Sequence, residues 1–266
     1  MDYLMENEEE ALRLEAKTDV VVVEQQARWA GIQPGMRVAD IGCGPGKTTS
    51  VLHALVQPGG TAVGVDGSER RIAHARKNFG AEGIEFVQKD ILNPLDDLGV
   101  FDFVWVRFFL EYYRSNALAI VCNIAERVKP GGILCLIDLD YNCLSHYGLS
   151  PRLERTVFAI IKALEENANF DPYMGRKLYS FLYDMGFQDI GVSVAAHHLI
   201  YGTLRETDAF NWLKKIEVAP KRIDFIFEEY EGGYEEFREE FDRFFSSPRR
   251  FTYTPVIACR GRKPAD

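Results

Sequence analysis

Asp40, Gly42, Gly44 and Gly46 stand at two-residue intervals in the stretch Val38-Ala39-Asp40-Ile41-Gly42-Cys43-Gly44-Pro45-Gly46-Lys47-Thr48-Thr49. An apolar run ends in an acid, a loop with three glycines follows, and a helical pattern starts at about Thr48. Glycine lets the backbone turn sharply and lets a ligand lie against it without meeting a β-carbon. The helix behind the loop aims its N-terminal N–H groups at whatever sits there. The details separate this loop from two phosphate-binding ones. A dinucleotide fingerprint needs glycine where Lys47 stands. Gly46-Lys47-Thr48 fits the end of a P-loop, but the glycine that should come five residues earlier is Ile41. What remains is Asp-x-Gly-x-Gly-x-Gly.

Two further acids extend the pattern. Asp66 follows an apolar run and lies about twenty residues past Gly46, where a carboxylate can accept both ribose hydroxyls of a nucleoside. Asp90 follows the next apolar run. Its carboxylate can accept an exocyclic amine of adenine, and the N–H of Ile91 can donate to a ring nitrogen. Ligands of open α/β sheets bind at the carboxyl ends of the strands, and all three acids are expected there.

The elements that must hold these residues alternate. Strands are predicted at Arg37 to Ile41, Thr61 to Val65, Ile84 to Gln88, Phe101 to Val106 and Ile133 to Ile137. Helices are expected at about Thr48 to Val56, Ser68 to Asn78 and Asn116 to Val128. Such alternation implies a doubly wound, mostly parallel sheet. Two more strands, Gly191 to Tyr201 and Phe251 to Arg260, bring it to seven. Pro255 marks the last as an edge or a bulged strand. Tyr3 to Ala30 reads as helix, Ser150-Pro151 as the start of another, and Asp171-Pro172 as the start of a third. Residues 1–33 are thus a helical cap, 34–201 with 249–266 an α/β core, and 202–248 a helical insertion or lid. In the last, Tyr234, Phe237, Phe241 and Phe244 repeat at helical spacing.

The chain has 266 residues, 47% hydrophobic, with a net charge of −9. That balance argues against a general nucleic-acid binder, whose footprint is basic. No apolar run approaches the roughly 20 residues that span a bilayer, and the acidic first ten residues are wrong for a signal peptide. Cys43, Cys122, Cys135, Cys143 and Cys259 form no C-x-x-C pair and no metal spacing. Free thiols in a reducing cytoplasm are the simplest expectation.

Asp40-x-Gly42-x-Gly44-x-Gly46 resembles the first motif of the class I S-adenosylmethionine-dependent methyltransferases. Gly64-Val65-Asp66-Gly67-Ser68, Phe101-Asp102 and Val128-Lys129-Pro130-Gly131-Gly132 resemble the small-molecule branch, so the likeness runs from Pro34 to Asp140. It implies a Rossmann-like fold, S-adenosyl-L-methionine as cofactor and S-adenosyl-L-homocysteine as product. It implies that Asp40 holds the ammonium side of the cofactor's amino-acid tail, directly or through water, and that on a helix folded over the cofactor Arg13 pairs with its carboxylate while Tyr3 helps close the site. The expected contacts are Tyr3, Arg13, Asp40, Gly42, Cys43, Gly44, Gly46, Asp66, Gly67, Arg71, Asp90, Ile91 and Arg107. At Arg71 the family often has an apolar residue beside the adenine, a packing role its aliphatic stem can take. Arg107 to Tyr113 resembles the segment after the fourth strand, with Tyr112 where a His often stands.

The implied reaction is an in-line displacement on a small-molecule acceptor. Candidates for removing an acceptor proton are Glu111, Tyr112, Asp140, Tyr141 and His146. His197 and His198 rank lower, because strand alternation would point them to opposite faces. No Asn/Asp-Pro-Pro-Tyr/Phe sequence follows the fourth strand, which disfavours amino-group methylation of nucleobases or of protein glutamine. A nicotinamide oxidoreductase and a non-catalytic S-adenosylmethionine-binding protein are the alternatives. No metal, nucleic-acid or membrane partner is expected; a homodimer is left open.

Overall fold

In a computed structural model of the chain, Leu14, Glu15 and residues 18–265 are described. Eight strands among them form one mixed sheet: β1 Arg37–Ile41, β2 Thr61–Asp66, β3 Ile84–Gln88, β4 Phe101–Arg107, β5 Val128–Leu139, β6 His146–Tyr147, β7 Gln188–Tyr201 and β8 Phe251–Arg262. The order is β3-β2-β1-β4-β5-β8-β6, with β7 paired to β8. β1 lies between β2 and β4, parallel to both. The winding therefore reverses there, and a crevice opens at the carboxyl ends of the strands.

Alternation explains how both faces are covered. Val38, Phe103 and Trp105 pack with Val23 and Ala27 of helix α1 (Val20–Ala30) and Leu52 of α2 (Lys47–Leu55). Ala39, Ile41, Val104 and Val106, one residue out of step, pack with Ile120 and Val121 of α4 (Ala117–Ala125) and Leu178 and Leu182 of α6 (Leu178–Asp184). Successive strand side chains point to opposite faces, so near-continuous apolar runs serve two cores. Helix α3 (Glu69–Phe79) adds a smaller cluster in which Ile72 and Ala75 meet Phe86 and Cys43.

A third core lies away from the sheet faces. It joins α5 (Pro151–Asn167), α7 (Glu206–Arg222) and α8 (Gly233–Ser246). Trp212, Phe237, Phe241, Phe244 and Phe245 are its buried aromatics. The two helices of residues 202–248 thus share their interior with α5.

Several sequence expectations are corrected. The seven long strands have a short eighth, β6, which pairs with the start of β8. β5 begins at Val128, not Ile133, because a shift in its pairing with β4 absorbs Lys129-Pro130-Gly131-Gly132 within the strand. β8 is an interior strand, paired with β5 on one side and β7 on the other. Of the two alternatives at Pro255 the edge therefore falls and the bulge stands: the pairing shifts in β7 between Ala196 and His198, opposite it, since proline has no N–H for the ladder. Of the helix expected over Tyr3 to Ala30, residues 3–13, 16 and 17 lie outside the described residues and Leu14 and Glu15 are helical; α1 then starts at Val20 because Asp19 caps it, accepting from the N–H groups of Val21 and Val22 at 2.9 and 3.3 Å. Asp171-Pro172 opens a loop, in which Tyr173 N donates to Asp171 Oδ1 at 3.0 Å. The helix proper waits until Leu178, after a 3-10 turn at Gly175–Lys177.

Candidate active site

The loop after β1 is held from two directions. Gly42, Gly44 and Gly46 all have positive φ, at 75°, 55° and 93°, a region open to glycine and strained for other residues. Gly44 N donates to Asp66 Oδ2 at 2.9 Å, tying the end of β1 to the end of β2. Gly46 caps α2, and a β-carbon there would lie 2.7 Å from Ala75 and 2.8 Å from Phe86. Its bareness thus serves the packing of α3 and β3 against the loop. Gly46 itself does not line the cavity, which its neighbours Pro45 and Thr48 reach.

Above the loop is a cavity of about 690 Å³, within the size range of small-molecule sites. Gly42, Cys43, Gly44, Asp66, Gly67, Arg71, Asp90, Ile91 and Arg107 line it, as do Glu111 and Tyr112. The Cys43 thiol is buried, and burial together with the charges of Asp40 and Asp66 pushes its pKa well up. Tyr3 and Arg13 lie outside the described residues. Leu14, next in the chain, lines the cavity, and the carbonyl of Glu15 accepts from Lys47 Nζ at 3.0 Å.

Asp66 is the most engaged of the acids. Besides Gly44, it accepts from Ser68 N at 2.9 Å and from Arg71 Nε at 3.0 Å. Arg71 therefore enters the site as a charge partner of Asp66, not simply as an apolar stem beside a base. Asp90 is exposed at the rim, and its Oδ1 accepts from Leu92 N at 3.0 Å.

Asp40 is set back from the cavity. It sits beneath the loop, 3% exposed, and is not among the residues that line the cavity. Thr49 Oγ1 donates to it at 2.7 Å, fastening β1 to α2. Burial pushes its carboxyl up to about 7 against the pull of Thr49 and of Arg107. Arg107 does line the cavity. Its Nε donates to Gln26 Oε1 at 3.2 Å, and its guanidinium lies 4.0 Å from the Phe108 ring centroid. Burial lowers its pKa to about 10.

The base candidates fall into two groups. Glu111 is 2% exposed and accepts from Asn142 Nδ2 at 2.7 Å. Its backbone N–H donates to Asp138 Oδ2 at 3.1 Å. Asp138 is buried, and both burial and the charge of Glu111 push its carboxyl well above the ordinary range. Asp138 thus holds a proton readily, and Glu111 is the member of the pair that faces the cavity. Tyr112 lines this cavity and also a second, apolar pocket.

The other candidates stand elsewhere. Tyr141 is partly exposed and packs edge-on against Tyr173, with centroids 5.5 Å apart. Asp140 makes a bidentate pair with Arg176 at 2.8 and 2.9 Å. His146 lies in the third core, with Nε2 3.1 Å from the Cys143 carbonyl and Nδ1 2.9 Å from Thr252 Oγ1. A carbonyl only accepts, so Nε2 carries the proton and Thr252 donates to Nδ1. Burial pulls the His146 pKa down to about 4. None of the three reaches the cavity.

His197 does reach the cavity. At the β7 register shift the alternation breaks, and the rings of His197 and His198 lie together with centroids 4.1 Å apart. His197 also packs on Phe108 at 4.5 Å and lines the cavity. Phe108, Phe109, Tyr113, Lys89 and Arg222 are lining residues not singled out from the sequence. The first three directly follow β4, so the strand-end rule reaches them. A β-carbon on Gly42 would lie 2.5 Å from the Phe109 ring, which makes that glycine and that aromatic a fitted pair. Arg222 ends α7 and carries no signal.

Residues 39–136 match a family described as a methyltransferase domain. Over 110 residues the chain is 34% identical to a methyltransferase of Synechocystis, sll0829, covering 41% of this chain and 49% of that one. It is 29% identical over 116 residues to a demethylmenaquinone methyltransferase of Lactococcus lactis, covering 42% and 46%. The chain spans about half the length of these relatives. Among solved structures the [4+2]-cyclase SpnF is similar, with a TM-score of 0.55 at 15% identity over 93% of this chain and 82% of that one. At that identity the likeness concerns the fold alone.

Proposed function

We propose, from the match of residues 39–136 to a methyltransferase domain, that the protein is a class I S-adenosylmethionine-dependent methyltransferase that transfers a methyl group to a small-molecule acceptor. The observation that carries this reading is the join of three strand ends. Gly44 at β1 is tied to Asp66 at β2, and Asp90 follows β3, all around one cavity. The lining carries both signs of charge, as a zwitterionic amino-acid tail on a nucleoside requires. Asp66 would accept the ribose hydroxyls, Asp90 and the Ile91 N–H would read the adenine edge, and the Gly42–Gly44 strip would take the tail. Arg107 supplies a cation for its carboxylate, and Arg13 a second.

When bound, S-adenosyl-L-methionine would supply an activated methyl group for in-line displacement, with the neutral thioether as the leaving group. The protein's share is alignment and the exclusion of water. Phe108, Phe109, Tyr112 and Tyr113 wall the side of the cavity next to β4. For a hydroxyl acceptor Glu111 takes the departing proton, a role worth roughly 10²- to 10⁴-fold in rate. The demethylmenaquinone methyltransferase among the relatives supports a small acceptor and chooses no particular one.

Calorimetry tests the reading. S-adenosyl-L-homocysteine should bind in the micromolar range, and NAD should give no heat. Binding of NAD in place of the thioether would transfer the site to the oxidoreductase class.

A further inference from the structure

The second pocket, of about 80 Å³, lies inside the third core and meets the cofactor cavity at Tyr112. Val157, Ile161, Ala219 and Phe237 are among its walls, and Trp212 forms another. Asn142, which also lines it, donates to Glu111, so one hydrogen bond joins the pocket wall to the floor of the cavity. The loop that presents Asn142 is strained: Tyr141 and Cys143 on either side have φ of 54° and 65°. Non-glycine residues held in this region cluster at ligand sites.

One wall carries a charge. Lys215 Nζ lies 3.5 Å from Cys143 Sγ and 4.8 Å from the Trp212 ring centroid. A thiol is a weak acceptor. The neighbouring Lys214 and Lys221 both pair with Glu217, whereas among the described residues Lys215 has no carboxylate at ion-pair distance. A part-buried ammonium on an apolar wall is costly unless an anion meets it.

Resting on the methyltransferase reading, we propose that the acceptor is a small aromatic acid: its ring seats between α5, α7 and α8, its carboxylate meets Lys215, and its reacting atom lies at Tyr112, facing the cofactor cavity. The pocket is smaller than the roughly 150 Å³ in which an apolar cavity takes up benzene. The ring therefore fills it and extends past Tyr112 towards Glu111. This arrangement puts the base and the acceptor on the same side of the methyl group.

Benzoate and its neutral isostere benzamide are the probes, titrated into the full chain with Trp212 fluorescence and calorimetry as readouts. Benzoate should bind about tenfold tighter than benzamide. Lys215→Met should erase that difference, and Ala219→Phe, which fills the pocket, should weaken both about tenfold. Neither variant should change affinity for S-adenosyl-L-homocysteine by more than about twofold. Equal binding of the two probes, no binding of benzoate at millimolar concentration, or an Ala219→Phe protein that binds benzoate as before would overturn the proposal. Should Ala219→Phe not fold, Val157→Ala enlarges the pocket and should shift preference from benzoate to 2-naphthoate; an unchanged ratio overturns it equally. Loss of homocysteine-thioether binding in the unaltered chain, with benzoate binding intact, would instead defeat the cofactor reading alone.

Discussion

Two regions of this molecule are assembled by different physics. At the carboxyl edge of the sheet, backbone turns and carboxylates are fixed by strand ends: Gly44 on Asp66, Ser68 on Asp66, Thr49 on Asp40. In the helical core of α5, α7 and α8, aromatic rings fix one another, Trp212 on Phe245 at 5.5 Å and Phe227 on Phe237 at 4.9 Å. The first region places polar groups at a cavity by topology. The second defines a pocket by side-chain volume. A substitution should therefore act on cofactor binding in the first and leave cofactor binding untouched in the second.

The sharpest way to break that separation is Phe241→Ala. Phe241 is 1% exposed, and truncating such a ring costs about 3–5 kcal/mol. Urea unfolding should show that loss, while affinity for S-adenosyl-L-homocysteine in the folded fraction changes by less than about twofold. The counterpart is Asp66→Ala. It removes the acceptor of three donors at the site and should weaken thioether binding about 100-fold, about 2.7 kcal/mol, with a smaller loss of stability. If the aromatic truncation instead abolishes binding in folded protein, the two regions are one cooperative unit.

How much of each region was legible follows from the same contrast. The strand ends were readable because each requirement falls on one residue: a glycine for positive φ, an acid after an apolar run. Asp66 and Asp90 therefore came out at the cavity. Asp40 did not, because its side chain is taken by Thr49, nine residues on and invisible to a strand-end rule. Alternation could not place the His197 ring, because it assumes an unbroken ladder and the pairing shifts opposite Pro255. In the helical region periodicity marked Phe237 and Phe241 as one face but could not say what covered them. The pairing of α8 with α5, and the turn of Lys215 towards Cys143, depend on contacts between distant segments that no local pattern encodes.

Proton linkage should separate the regions by sign. Asp40 holds its proton more tightly folded than unfolded, since burial raises it from 3.8 to about 7. Its contribution is intact below pH 3.8 and is lost as pH rises towards 7. Three full units would be worth about 4 kcal/mol, and relaxation with water penetration leaves roughly half. Asp138 is raised in the same direction. His146 is the reverse: burial lowers it from 6.5 to about 4, so its contribution is intact above pH 6.5 and lost as pH falls towards 4. Asp40→Asn should gain on the unaltered protein as pH rises from 4 to 8. His146→Gln should gain on it as pH falls from 7 to 4. Denaturant unfolding at four pH values tests both, and parallel curves for either variant would remove that residue from the account.

The smallest contrast concerns two helix caps. Ser150 caps α5, accepting from Leu153 N at 3.1 Å, and its hydroxyl also donates to Glu240 of α8. Ser68 caps α3 with a longer bond, 3.4 Å from Arg71 N, while its own N–H is held by Asp66. Removing an N-cap hydroxyl costs about 1 kcal/mol on average. Ser150→Ala should exceed that, at about 1.5 kcal/mol, because Glu240 also loses a donor inside the helical core. Ser68→Ala should fall below it, at about 0.5 kcal/mol, because the Asp66 carboxylate still accepts from the backbone N–H at position 68. Thioether affinity should follow neither cap, since the cofactor edge depends on that carboxylate and not on the hydroxyl. Equal costs for the two variants would mean that Ser150 stabilises only its own helix, and that the join between α5 and α8 rests on the aromatic rings alone.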